Sequence, residues 1–98
     1  MNYPEIETAV NKAMRQMLER VHCGDGPPPH FHAKTKPIGD LGLDSMAGVG
    51  FLCELEDFGI VLADDLNPFV DDARRRARSI AEMIEFIAAN AKAEEAAV

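Results

Sequence analysis

A cluster of prolines near the middle of the chain constrains the fold more than any other feature. Four of the six prolines and two of the glycines fall between Cys23 and Pro37. Proline lacks the backbone N–H, and its ring clashes with the preceding helical turn, so Pro27–Pro29 cannot lie inside a helix. The sequence therefore predicts a long, partly stiff loop over residues 23–37, with separate elements before and after it.

Three segments outside this loop carry apolar residues at spacings of three and four, which is typical of amphipathic helices. The first runs from Pro4 to Val21. The second begins at Asp44 or Ser45 and ends at Gly59, a residue type that often terminates helices. The last begins at Ser79, which is followed three residues later by a glutamate and so fits a capping box.

A fourth, shorter helix is predicted near Phe69–Asp72, because Asn67 and Pro68 suit an N-cap and a first helical position. No segment alternates polar and apolar residues as a strand does. We therefore expect an all-α fold, a small four-helix bundle with three long helices and one short helix. Residues 1–98 would form a single domain, with a core over about 4–91 and a frayed tail over 92–98.

Composition excludes several classes of protein. Ten basic and seventeen acidic residues give a net charge of −7, which argues against nucleic acid as a partner. The near-continuous apolar run Met46–Cys53 is too short to span a membrane, and Met1–Val10 lacks the apolar core of a secretory signal. Cys23 and Cys53 do not make a disulfide framework and are expected to be reduced thiols. We expect an acidic, cytoplasmic monomer without membrane insertion.

The stretch Ile38–Met46 is the most informative part of the chain. It holds two glycines, apolar anchors at Leu41 and Leu43, and Asp44-Ser45 at a helix start. Aspartate and serine are favoured N-caps, so the pair could serve only to start the helix. Alternatively, Ser45 could be held exposed at the positive end of a helix dipole, where a phosphate group is stabilised. Both interpretations remain open on physical grounds.

The segment Leu41-Gly42-Leu43-Asp44-Ser45-Met46 resembles the phosphopantetheine attachment signature of acyl carrier proteins, and peptidyl carrier proteins are similar. Leu55–Ile60 resembles the end of that family's second helix, and Ser79–Ile84 resembles the start of its fourth. The resemblance covers roughly residues 5–22 and 38–90 and leaves the proline-rich loop outside.

The resemblance implies a carrier without catalysis of its own. A phosphopantetheinyl transferase would move 4'-phosphopantetheine from coenzyme A onto the Ser45 hydroxyl, with Asp44 and Met46 completing the attachment site. The thiol of the arm would hold an acyl or aminoacyl group as a thioester and pass it between enzymes of a fatty acid, lipid or secondary-metabolite pathway. Fatty-acid carriers place acidic residues soon after the serine, but Met46–Phe51 has none, which favours a specialised carrier.

Acidic residues dominate the middle of the chain, where residues 37–73 hold nine carboxylates and no Lys or Arg. These could form a solvated face, or a docking surface for basic patches on the transferase and on acyl-loading and acyl-transfer enzymes. Glu54, Glu56 and Asp57 are the docking candidates. Gly48 and Gly50 weaken the helix that begins at Ser45, either because a neighbour packs against them or, as we favour, because they face a partner.

Other functions fit the sequence less well. An unmodified helical interaction domain is the alternative to a carrier. A serine hydrolase is not indicated, because Leu43–Ala47 lacks the glycines of a nucleophile elbow. His22, Cys23, His30 and His32 are zinc-ligand types, but their spacing matches no common zinc pattern, so metal binding stays open. The arginines between 74 and 78 have no assigned role.

Overall fold

The fold is given by a computed structural model, which describes residues 2–21, 29–63 and 65–93. Within these ranges the helical elements are α1 (Tyr3–Val21), α2 (Pro37–Asp40), α3 (Ser45–Glu56) and α4 (Ile80–Asn90). Four two-residue strands accompany them, namely β1 (Ile60–Val61), β2 (Val70–Asp71), β3 (Arg76–Ala77) and β4 (Lys92–Ala93).

The expectation of an all-α four-helix bundle is wrong, because the strands form two antiparallel pairs. β1 pairs with β4, and β2 pairs with β3. The short helix expected near Phe69–Asp72 is absent, and the β2–β3 hairpin takes its place. Strands of two residues are too short to show the alternating pattern by which a sequence indicates a strand, so the periodicity could not predict them.

The hairpin forms because Asn67 caps a turn and not a helix. Its Oδ1 accepts a hydrogen bond from the Phe69 N–H at 2.9 Å, the bond of an Asx-turn. β2 then continues with Val70, whose β-branched side chain fits a strand better than a helix. The chain reverses between the strands with Arg75 in the left-handed region at φ 52°.

The three long predicted helices are present. α1 begins one residue before the predicted Pro4 and ends at Val21. α3 ends at Glu56, three residues before Gly59, whose φ of 82° belongs to the turn that follows. The predicted frayed tail is shorter than expected, because residues 92–93 pair with β1. Residues 94–98 lie outside the described ranges.

The core lies where α1 packs against both α3 and α4. Its buried side chains form one hydrophobic cluster: Ile6, Ala9, Val10, Ala13, Met14, Met17, Leu18, Phe51, Leu55, Ile60, Leu62, Phe69, Ile80, Met83, Ile84 and Ile87. Among the described residues, no helix is long and apolar enough to cross a membrane.

The last part of the proline-rich loop is docked against the start of α4. The Thr35 carbonyl accepts the Ile80 N–H at 2.8 Å, and the Ala33 carbonyl accepts the Ala81 N–H at 2.9 Å. These bonds satisfy donors that a helix start leaves without a partner inside the helix. Residues 23–28 of this loop lie outside the described ranges.

The predicted capping box at the start of α4 is confirmed. The Glu82 N–H donates to Ser79 Oγ at 3.3 Å, and the Ser79 N–H donates to Glu82 Oε1 at 3.0 Å. The Glu82 carboxylate also forms an ion pair with the Arg76 guanidinium of β3. The hydrogen bond from the Ser79 N–H, together with that from Arg76, holds the pKa of Glu82 below its ordinary value.

Replacing Glu82 should make the stability of the protein depend less on pH. A lowered folded-state pKa means that the carboxylate stabilises the fold fully above the unfolded-state pKa of about 4.3. That contribution is lost as the pH falls through the folded-state value. We expect Glu82→Gln to be less stable than wild type at neutral pH, with a difference that shrinks as the pH falls below about 4.3. Urea unfolding over this pH series measures it.

The matched control is Glu85→Gln, at an exposed position of the same helix. Its free energy of unfolding should follow that of wild type across the series. A stability difference between Glu82→Gln and wild type that stays constant with pH would contradict the interpretation.

Candidate functional site

Ser45 is the first residue of α3, and Asp44 is the N-cap. Asp44 Oδ1 accepts a hydrogen bond from the Ala47 N–H at 3.0 Å, which ties down the first turn of the helix. The N-cap interpretation of the Asp44-Ser45 pair thus applies to Asp44. Ser45 and Met46 are both exposed, so these three residues of the predicted attachment site lie together at one helix end.

The loop before Ser45 is ordered by its own backbone. The Leu43 N–H donates to the Pro37 carbonyl at 3.2 Å, and Ile38 and Leu43 form an isolated parallel bridge. Gly42 has a φ of 71°, a left-handed conformation that favours glycine. Leu41 and Leu43 are partly buried and pack against the hydrophobic cluster, which confirms the prediction that they anchor the loop. Ser45 therefore follows a loop that is fixed to the core.

The chain has two serines, and both stand at helix starts, but their hydroxyls differ. The Ser79 hydroxyl accepts the Glu82 N–H and is engaged in capping α4. The Ser45 hydroxyl makes no hydrogen bond to any part of the chain that the structure describes. Ser45 is therefore the serine whose oxygen is exposed and available to a reagent.

A side chain from the loop between β1 and β2 holds the same helix end. Asn67 Nδ2 donates to the Ser45 carbonyl oxygen at 2.9 Å, across 22 residues of sequence. Gly48 makes this approach possible, because a Cβ at that position would lie 1.9 Å from Asn67 Oδ1. The glycine is needed for packing, and the expectation that Gly48 faces a partner is wrong.

The outer face of α3 is largely apolar and exposed. Met46 is 74% exposed and Val49 is 49% exposed. Gly50 and Cys53 are exposed on the same side, since positions three and four apart share a helix face. Ser45 lies at one end of this face, and Glu56 lies at the other, about 16 Å along the helix axis. We call the exposed residues 45, 46, 49, 50, 53 and 56 the α3 outer face.

Glu54 does not belong to that face, although the sequence suggested it as a docking residue. Its side chain is 3% exposed and pairs with Arg20 at 2.8 Å. Gln16 Nε2 donates both to Glu54 Oε2 at 2.5 Å and to Asp57 Oδ2 at 2.9 Å. Glu54 therefore joins α3 to α1 and cannot offer a free carboxylate to a partner.

The structure describes only part of the histidine and cysteine cluster that the sequence raised as metal ligands. His30 and His32 are exposed, whereas His22 and Cys23 lie outside the described residues. No group of three or more potential metal ligands occurs within residues 2–21, 29–63 and 65–93.

Arg78 donates to the Asn67 and Val70 carbonyls at 2.9 and 2.6 Å, and it stacks over the Phe86 ring at 3.7 Å.

Comparison with known proteins returned no match. No protein-family model matches the chain, and neither a curated protein nor a solved structure is significantly similar to it. The interpretation of the Ser45 site therefore rests on its own residues and geometry.

Asn67 is the residue of this site whose role the sequence did not indicate. The Asn67-Pro68 pair predicts a helix start, whereas in the structure Asn67 begins a turn. The partner of its amide is a backbone carbonyl 22 residues away, which no local pattern specifies.

The two glycines of α3 should respond oppositely to alanine. Gly48→Ala should destabilise the protein by about 1–3 kcal/mol, because the new methyl group displaces an Asn67 side chain that is bonded at both ends. Gly50→Ala should raise stability by up to about 1 kcal/mol, since its Cβ would meet only Met17 Cε, at 3.7 Å. Thermal and urea unfolding of the two variants measure the difference. If Gly48→Ala stabilised the protein as Gly50→Ala should, the packing account of Gly48 would be wrong.

Proposed function

We propose that the chain is a carrier protein that bears phosphopantetheine on Ser45 and holds an acyl or aminoacyl group as a thioester on that arm. The observation that carries the proposal is the state of the Ser45 hydroxyl. It is exposed, it makes no hydrogen bond within the described chain, and it stands at the start of a helix fixed by Asp44 and Asn67.

The site suits a phosphate diester on physical grounds. The first N–H groups of a helix point away from its body, and the helix dipole favours negative charge at that end. Ser45 Oγ would form the new phosphoester bond as the pyrophosphate bond of coenzyme A breaks, with adenosine 3',5'-bisphosphate as the leaving group. The hydroxyl proton would leave to a base supplied by the transferase. When bound, the arm supplies a flexible tether with a terminal thiol. Because the hydroxyl lies at the surface, the tether can extend away from the core.

The α3 outer face supports the proposal with a surface on which partners can dock. Exposed apolar residues such as Met46 and Val49 are the kind of surface that protein partners cover. Glu56 and Asp57 add negative charge at the far end of the helix, so a basic patch on an enzyme could bind there while its active site reaches Ser45. Glu54 is left out of this docking surface because it is buried.

The proposed partners are a phosphopantetheinyl transferase and enzymes that load and transfer the acyl group. We place the carrier in the cytoplasm. Because no carboxylate follows Ser45 in the first turns of α3, we assign the carrier to a specialised fatty acid, lipid or secondary-metabolite pathway. The alternative is an unmodified interaction domain that uses the α3 outer face alone. The apolar side chains of that face are compatible with a carrier and with an interaction domain alike. Whether Ser45 is modified distinguishes the two functions.

Modification should depend on Ser45 and not on the second serine. Incubation with coenzyme A and a broad-specificity phosphopantetheinyl transferase should add one phosphopantetheinyl group to the wild type, as measured by intact mass. Ser45→Ala should gain nothing while it remains folded. Ser79→Ala is the matched control and should still be modified, at a cost in stability of about 0.5–2 kcal/mol from the lost cap. An unmodified wild type, or a modified Ser45→Ala, would contradict the proposal.

Charge at the far end of α3 should affect the rate of encounter. Glu56→Lys should slow the modification of Ser45 several-fold at low salt, and the difference from wild type should shrink at about 0.5 M salt, where the Debye length falls to a few ångströms. Glu85→Lys makes the same charge change at an exposed position of α4 and serves as the control. Equal rates for all three proteins at low salt would remove Glu56 from the docking surface.

A further inference from the structure

Asn67 is bonded in a way that fixes the orientation of its amide. Nδ2 donates to the Ser45 carbonyl oxygen, and Oδ1 accepts from the Phe69 N–H, both at 2.9 Å. If the amide rotated by half a turn, an oxygen would face the Ser45 oxygen and an NH₂ group would face an N–H. Both bonds would be lost, so the side chain has one favourable orientation.

The backbone that carries Asn67 is itself held in place. Arg78 donates to the Asn67 carbonyl oxygen at 2.9 Å, and its backbone N–H donates to the Phe69 carbonyl at 2.9 Å. Phe69 is fully buried and packs against Phe51 of α3, with ring centroids 5.3 Å apart. The backbone of Asn67 is therefore fixed, and the hydrogen bond from its amide to the Ser45 carbonyl restrains the position of Ser45.

Two hydrogen bonds therefore fix the backbone around Ser45. The Asp44 carboxylate accepts the Ala47 N–H, and the Ser45 carbonyl oxygen accepts an N–H of the Asn67 amide. With the backbone of Ser45 fixed, the direction of the Cα–Cβ bond is fixed as well, and only rotation about that bond remains for the hydroxyl.

We propose that Asn67 is a positioning residue for the modification of Ser45, an inference that rests on the carrier function proposed for this chain. Asn67 acts on the orientation of the serine through the Ser45 backbone and is not itself part of the α3 outer face. Its loss should therefore lower the rate at which docked protein is modified, and should leave docking itself unchanged. Misplacement of a reacting group by about 1 Å can reduce a rate by up to about a hundredfold.

The test measures kcat and KM of a phosphopantetheinyl transferase with coenzyme A and different concentrations of each variant, by intact mass over time. Asn67→Ser retains an oxygen that can accept the Phe69 N–H but is too short to reach the Ser45 carbonyl. Asn67→Ala loses both bonds. Asn11→Ala is the matched control, because Asn11 Nδ2 also donates to a helix carbonyl, that of Glu7 at 3.0 Å, within α1. Circular dichroism fixes an assay temperature at which every variant is folded.

We expect kcat to fall about tenfold in both Asn67→Ser and Asn67→Ala, with KM within about twofold of wild type. Asn11→Ala should keep wild-type kinetics. If Asn67→Ala does not fold, Asn67→Ser decides, since it keeps the turn.

Three results would overturn the inference. The first is a wild-type kcat in folded Asn67→Ser, even if Asn67→Ala is slow, because the turn alone would then matter. The second is a raised KM with an unchanged kcat, which would mean a role in docking. The third is a wild type that is not modified at all, which contradicts the carrier function itself and is recognised before any variant is compared.

Discussion

The hydrogen bond between the Asn67 amide and the Ser45 carbonyl links the two parts of the structure on which the site depends. One part is α3, which begins at Ser45, and the other is the β2–β3 hairpin, which Asn67 introduces. The bond needs a glycine at position 48, because any side chain there would occupy the space of the amide. Gly48 thus weakens α3 near its start by about 1 kcal/mol relative to alanine. It also leaves the space in which the Asn67 amide restrains Ser45.

Apolar burial and one polar cluster orient α3 together, because Phe51 and Leu55 are fully buried on its inner side and Glu54 lies beside them. Glu54 is buried and is satisfied by Arg20 and Gln16 of α1. Rotation of α3 about its axis would separate the buried Glu54 carboxylate from these partners and is therefore unfavourable. Met46 and Val49 lie on the side of α3 opposite Phe51 and Leu55 and are exposed. The exposed apolar face follows from this arrangement and is what a docking partner would cover.

The sequence predicted the parts of the fold that local patterns specify. The spacing of apolar residues predicted α1, α3 and α4, and the Ser79 capping box was found as expected. The β1–β4 pair and the burial of Glu54 depend on residues far apart in the chain, so no local pattern predicts them. The β2–β3 hairpin is local, but its two-residue strands are too short to show an alternating pattern. The Asn67-Pro68 pair shows the limit most clearly: the same residues suit a helix start and an Asx-turn, and tertiary contacts with Arg78 and Ser45 decide between them. At the site, the sequence motif predicts Asp44, Ser45 and Met46, whereas no sequence pattern indicates Asn67.

We propose that Ser45 carries phosphopantetheine when the protein works in its own cell. The most direct measurement is fragmentation mass spectrometry of the protein purified from cells that make it naturally, without added transferase. We expect a phosphopantetheinyl group, free or acylated, on the peptide that contains Ser45, and an unmodified peptide for Ser79. A protein that is wholly unmodified while its cells modify other carriers, or a group attached to a different residue, would show that Ser45 is not a phosphopantetheine site.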